Sequence, residues 1–332
     1  MKKKLAVISI IAALGVGGLF YFGFVQGADA SLGKVRLKEK PKTVKKTKPD
    51  TKAATNESTK EITEEPEKKP AEKEPEIYSQ QILLENLNTG QILEEKNADK
   101  RVPIASLTKI MSAFVLLDKA PNIEDTVVLS QKTIDDLTLE GASRSGFVAN
   151  DPIKVKDLAY AIILPSGADA AILTANYLSG SEAAFVAEMN NYAQYLGLHN
   201  THFENSTGLD SANQYSTARD LNKLVKVAMQ NPVFADVFTR FEYQTSPTKL
   251  EKDGYHLEHT LLNEKNDLSL NNGQLLGGKT GYTEDAGQCL ASIAEINGER
   301  YLLITTGADG DPNGTQHNVT DAKKIYESIG VK

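Results

Sequence analysis

Apolar residues fall in three regimes along the chain. Three lysines, Lys2 to Lys4, precede a run from Leu5 to Val25 that holds no charged residue. Residues 31–77 are then dominated by Lys, Glu, Pro and Thr. From Tyr78 apolar positions return with regular spacing. "QQILLENLNTGQILEEKN" reads as two strands around a turn at Asn88-Thr89-Gly90. A helix is expected from about Ser106, with Leu107, Ile110, Met111, Phe114 and Leu117 on one face. Another runs through "VKDLAYAII" and stops at Leu164-Pro165-Ser166-Gly167, and further helix is expected over 169–178 and 181–196. "QCLASIAEINGERYLLITTGA" predicts two strands joined by Asn297-Gly298, a strong hairpin signal. "TDAKKIYESIG" predicts a closing helix capped by Thr320. A hairpin first, helices in the middle, and strands with one helix last make an α+β arrangement. The first and last parts of the globular region are expected to share one sheet.

The opening 30 residues have the form of an export signal: basic start, apolar middle, small residues at Ala28 and Ala30. The apolar run is also long enough to span a bilayer. Residues 1–30 are therefore expected to be a signal peptide or an N-terminal membrane anchor, 31–77 a disordered linker, and 78–332 the catalytic domain. The protein is expected outside the cytoplasm, tethered to the membrane or released to the wall. Of 332 residues, 40% are hydrophobic, enough for a sizeable core. The net charge of −7 gives no reason to expect a nucleic-acid partner. One cysteine, Cys289, excludes an intrachain disulfide and argues against a Cys-ligated zinc. It is expected in the core. His199, His202, His256, His259 and His317 show no HExxH pattern and are read as surface or structural. No metal is expected.

The chemistry centres on "IASLTKIM". Ser106 and Lys109 lie three apart at a helix start, so one turn brings them to the same face. A serine hydroxyl needs a group to take its proton, and a lysine serves only if burial or a second cation lowers its pKa. "LLGGKTGYT" offers that second cation in Lys279, a hydroxyl for a carboxylate in Thr280, and in Gly281 a backbone that a substrate can approach. It is expected at the start of a strand. "LPSGADAA" places Ser166 in a turn between two helices, where it can relay a proton.

These three segments, in this order, resemble the signature of penicillin-binding proteins and serine β-lactamases. With "NADKRVPIASLTKIMSAFVLLD", "LGLHNTHFENSTGLD" and "YSTARDLNKL", residues 78–330 resemble the serine D-alanyl-D-alanine carboxypeptidases of peptidase family S11. The resemblance implies a β-lactamase/transpeptidase-like fold and a cofactor-free peptidase. Ser106 would attack, Lys109 accept its proton, and the N–H groups of Ser106 and Tyr282 hold the oxyanion. Ser166 and Lys279 would assist proton transfer, and Thr280 would bind the substrate carboxylate. Peptidoglycan stem peptides would be substrates and β-lactams covalent inhibitors.

The match departs from the family in two places within the catalytic region. Ala168 stands where the second motif usually has asparagine. No arginine precedes the last helix, where Asn318 is found; Thr280, Thr283 or His317 are the candidates to compensate. Many relatives also continue beyond the catalytic region to a C-terminal anchor, so with this chain ending at Lys332 attachment is expected at the N-terminus. Two rivals remain: a β-lactamase using Glu204 to activate water, and a wall-peptide or penicillin-binding protein with impaired turnover. Arg219 is read as a structural ion-pair residue.

Overall fold

The computed structural model describes residues 77–330. The expected signal or anchor, and all but the last residue of the expected linker, lie outside the described residues. No helix among the described residues is long and apolar enough to cross a membrane. The chain opens with a hairpin, β1 (Gln81–Asn86) and β2 (Ile92–Lys96), and passes into α1 (Thr108–Lys119). Then come β3 (Thr126–Val128), α2 (Gln131–Leu139), β4 (Pro152–Lys154), α3 (Val155–Ile163), α4 (Ala168–Ser179) and α5 (Glu182–Tyr195). Next are α6 (Ala218–Ala228), α7 (Pro232–Phe238) and the short strands β5 (Glu242–Gln244), β6 (His256–Glu258) and β7 (Ser269–Leu270). Three long strands, β8 (Gly273–Thr283), β9 (Gly287–Ile296) and β10 (Glu299–Ala308), precede α8 (His317–Glu327).

The main sheet has the order β2-β1-β10-β9-β8-β7. Every neighbouring pair is antiparallel. As expected, the first hairpin and the last strands share it: β1 pairs with β10, Gln81 opposite Thr306 and Asn86 opposite Tyr301. Asn297 and Gly298 both take positive φ, 53° and 81°, which suits the tight turn from β9 to β10.

Strand alternation divides the core into two layers. Leu83, Ala291, Ile293, Leu302 and Ile304 face the helical part. Ile82, Leu84, Leu290, Ala294 and Leu303 meet Val319, Ala322, Ile325 and Tyr326 of α8. Cys289 is fully buried, as expected, and burial pushes its thiol up to about 12.

Three expectations are corrected. α1 is buried on nearly every side from Thr108 to Leu116, because α3, α4, α5, α6 and α7 surround it. The K-T-G segment lies deep within the 11-residue β8 rather than at its start. The last helix begins at His317, and Thr320 lies inside its first turn. Its first N–H groups find partners elsewhere: Asn318 N–H donates to Gln288 Oε1 and Val319 N–H to Asn318 Oδ1.

Candidate active site

A 3₁₀ turn, Ala105–Leu107, runs directly into α1. Ala105 has φ 47°, in the left-handed region that a residue with a Cβ rarely adopts. The surroundings hold it there. A Cβ on Gly208 would lie 2.0 Å from the Ala105 carbonyl oxygen, and one on Gly281 would lie 3.1 Å from Ser106 N. The Ala105–Ser106 peptide is thus clamped between the 205–210 loop and strand β8, which sets Ser106, partly exposed, at the mouth of a cleft.

Lys109 Nζ lies 2.9 Å from Ser106 Oγ and donates to the Thr207 carbonyl at 2.6 Å. That carbonyl is fixed by its own loop. Asn205 Oδ1 accepts from the N–H groups of Thr207 and Gly208. Ser112 Oγ, one turn beyond Lys109, donates to the Ser206 carbonyl at 2.7 Å. Lys109 is 2% exposed, and burial lowers its pKa to about 7 against the opposing pull of Asp169.

Ser166 occupies the tight connection between α3 and α4, with φ 62°. Its Oγ accepts from Lys279 Nζ at 2.8 Å, and Lys279 donates also to the Thr280 carbonyl at 2.6 Å. The turn is pinned from outside: Ser143 Oγ donates to the Ser166 carbonyl at 2.6 Å, and Ala168 N–H to the Ser143 carbonyl at 2.8 Å. The Asp169 carboxylate accepts from Ser145 N and Oγ. Lys279 is fully buried, and desolvation, with the charge of Lys109, holds its pKa well below the usual lysine value. Two ammonium groups in this space repel, so the pair readily gives up one proton and keeps one. Both amines are thus held below the usual lysine range, each bonded to a serine.

All seven residues singled out in the sequence converge here. Ser106, Ser166, Thr280, Gly281 and Tyr282 line a cleft of about 520 Å³, with Lys109 and Lys279 buried against it. A larger groove of about 660 Å³, lined by Phe114, Tyr192, Tyr195 and Asn231 among others, holds no serine–lysine pair. The sequence did not single out Thr260, whose Oγ1 lies 2.5 Å from Thr280 Oγ1 in the cleft wall. It is carried there by a 3₁₀ turn, Thr260–Leu262, after His259. His259 is buried; its Nδ1 accepts from Leu261 N–H, so Nε2 carries the proton and donates to the Gly278 carbonyl at 2.8 Å. Burial lowers its pKa to about 4, so the ring is neutral and its role is structural.

Comparisons with known proteins point to one family. Residues 68–310 match the model of peptidase family S11, described as D-alanyl-D-alanine carboxypeptidase. The chain belongs to the S11 peptidases. A D-alanyl-D-alanine carboxypeptidase of Streptomyces sp. strain K15 is 37% identical over 247 residues, 72% of this chain and 83% of that protein. The Escherichia coli D-alanyl-D-alanine carboxypeptidase DacC is 33% identical over 264 residues, 77% of this chain and 64% of that longer protein. The crystal structure of the Streptomyces K15 DD-transpeptidase superimposes with a TM-score of 0.67 at 30% identity, covering 76% of this chain and 96% of that one. Penicillin-binding protein 6B of Escherichia coli gives 0.61 at 30% identity, covering 74% and 76%. The fold expected from the resemblance is the fold observed.

Two positions that the resemblance set apart are placed by the fold. Ala168 is buried at the start of α4. Asn318 lines the cleft, but its Nδ2 is committed to the Cys289 carbonyl at 2.9 Å. Of the candidates to compensate for the arginine, neither Thr283 nor His317 lines the cleft, which leaves Thr280 with Thr260. Glu204 is exposed and accepts from Ser211 and Asn213 within its own loop, so it is a loop anchor.

Proposed function

We propose that this S11 peptidase removes the terminal D-alanine from peptidoglycan stem peptides through an acyl-enzyme on Ser106. The observation that carries the reading is the pair of buried lysines, each bonded to a different serine facing one cleft. Neutral Lys109 takes the hydroxyl proton as Ser106 Oγ attacks the carbonyl between the two D-alanines. The oxyanion receives the N–H groups of Ser106 and Tyr282. The C–N bond breaks, and the leaving amine regains a proton from Lys109 by way of Ser166 and Lys279. Water then cleaves the ester with Lys109 again as base. The Thr280 hydroxyl, backed by Thr260, binds the terminal carboxylate. β-Lactams mimic the D-Ala-D-Ala unit and acylate Ser106 in the same way. Residues 1–30 would export the enzyme and tether it when uncleaved, and 31–77 would set its distance from the membrane.

The test is release of free D-alanine from a synthetic stem pentapeptide by the full chain and by Ser106→Ala. Release by the wild type alone is expected. Peptide binding without release would overturn the enzyme reading, and a penicilloyl-enzyme lifetime of seconds or less would favour a β-lactamase.

A further inference from the structure

Segment 140–151 connects α2 to β4 and passes beside the Ser166 turn. Two of its residues are built into that turn. Ser143 bonds the Ser166 carbonyl and the Ala168 N–H, and Ser145 bonds Asp169 through both N and Oγ. Arg144, between them, is therefore held at a fixed place while its side chain stays exposed. Ser143 lines the catalytic cleft, and its chain neighbours Ala142 and Arg144 line a second groove of about 600 Å³ with Gln131, Ile134 and Phe147. No carboxylate lines that groove.

Among the described residues Arg144 differs from every other arginine. Arg219 pairs with Glu95 and Asp99, Arg240 with Asp236, and Arg300 with Glu295. Arg101 bonds Asn200 and lies over the Tyr215 ring. Arg144 has no such partner. Of the acids on and just after α2, Asp136 pairs with Lys132 and Asp135 accepts from Gln131, while the C-cap residue Glu140 forms no ion pair with Arg144. A planar cation on a rigid mount, unpaired in a chain of net charge −7, suits a carboxylate brought by a ligand.

We propose that Arg144 forms a subsite for a carboxylate on the acyl side of the substrate, which runs from Ser106 past Ser143 into this groove. This rests on the carboxypeptidase reading of the cleft. It makes Arg144 a specificity residue that selects acidic stem peptides over amidated ones.

The test uses the full chain and two synthetic stem pentapeptides, one with its acyl-side carboxylates free and one with them amidated. The expected wild-type ratio of kcat/KM favours the acidic peptide by about five- to tenfold. In Arg144→Gln the ratio should fall towards one, and Arg144→Lys should restore part of it. Raising salt should shrink the wild-type ratio. Equal turnover of both peptides by the wild type, or an unchanged ratio in Arg144→Gln, overturns the Arg144 assignment while leaving the carboxypeptidase reading intact. No D-alanine from either peptide overturns that reading, and this one with it.

Discussion

At the residue scale the decisive quantity is the proton on Lys109. Its pKa, lowered to about 7 by burial, is close to the pH at which a lysine can serve as base. Only the neutral amine accepts a proton, so the rate of Ser106 acylation should rise with pH through about 7 and level off above. Stopped-flow acylation by a chromogenic β-lactam across pH 5–9 checks this; a rate independent of pH would count against it. Stability carries the same sign. Between about 7 and the ordinary lysine value the unfolded chain binds the extra proton and the native one does not, so stability should rise with pH in that window. Lys109→Met should weaken that rise and slow acylation by about 10³-fold. Thr260 gives a separate test. Thr260→Val keeps the shape and removes the oxygen bonded to Thr280, and should raise KM for the peptide about three- to tenfold through loss of one hydrogen bond. Ser106, Lys109, Ser166 and Lys279 were legible because each lies in a short segment whose chemistry demands its neighbours. Thr260 was not: it reaches Thr280 across a turn 20 residues upstream, with no spacing that marks it.

At the scale of elements the site depends on backbones that pass unusually close. Gly208→Ala would set a Cβ 2.0 Å from the Ala105 oxygen on a backbone with φ 87°, whereas the contacts at Gly281 are 3.1 Å or more. Gly208→Ala should therefore destabilise more, by about 2 kcal/mol or above, and Gly281→Ala less. Urea midpoints of the two variants would show the order, and the reverse order would contradict this packing. Such contacts are hard to read in a sequence. Ala105 and Ser166 adopt positive φ although neither is a residue that favours it, because the 205–210 loop and the 143–145 segment impose it. The hairpin at Asn297-Gly298 was legible for the opposite reason: its residues favour the turn unaided. Thr320 misled because the helix begins three residues earlier, where Gln288, far away in sequence, and Asn318 accept from its first N–H groups.

At the scale of the whole molecule the cleft sits where the main sheet meets the helices. It draws Ser106 and Lys109 from α1 and its lead-in turn, Ser166 from a helix connection, Thr207 from a long loop and Lys279 from β8. No single segment holds the chemistry, and the sheet itself closes only when β1 finds β10. Loss of penicillin labelling and loss of helix signal should then follow one coincident urea transition. The fold class was legible from the order of elements, and the shared sheet from the apolar runs at both ends. The short strands β3 to β7 were not, since two or three residues carry no period.

The central claim is that Ser106 is an activated nucleophile. Intact-protein mass spectrometry after incubation with a penicillin, followed by peptide mapping, tests it most directly. The wild type should gain one penicilloyl group on the peptide containing Ser106, and Ser106→Ala should gain none. An unmodified wild type, or the same adduct in Ser106→Ala, would contradict the account.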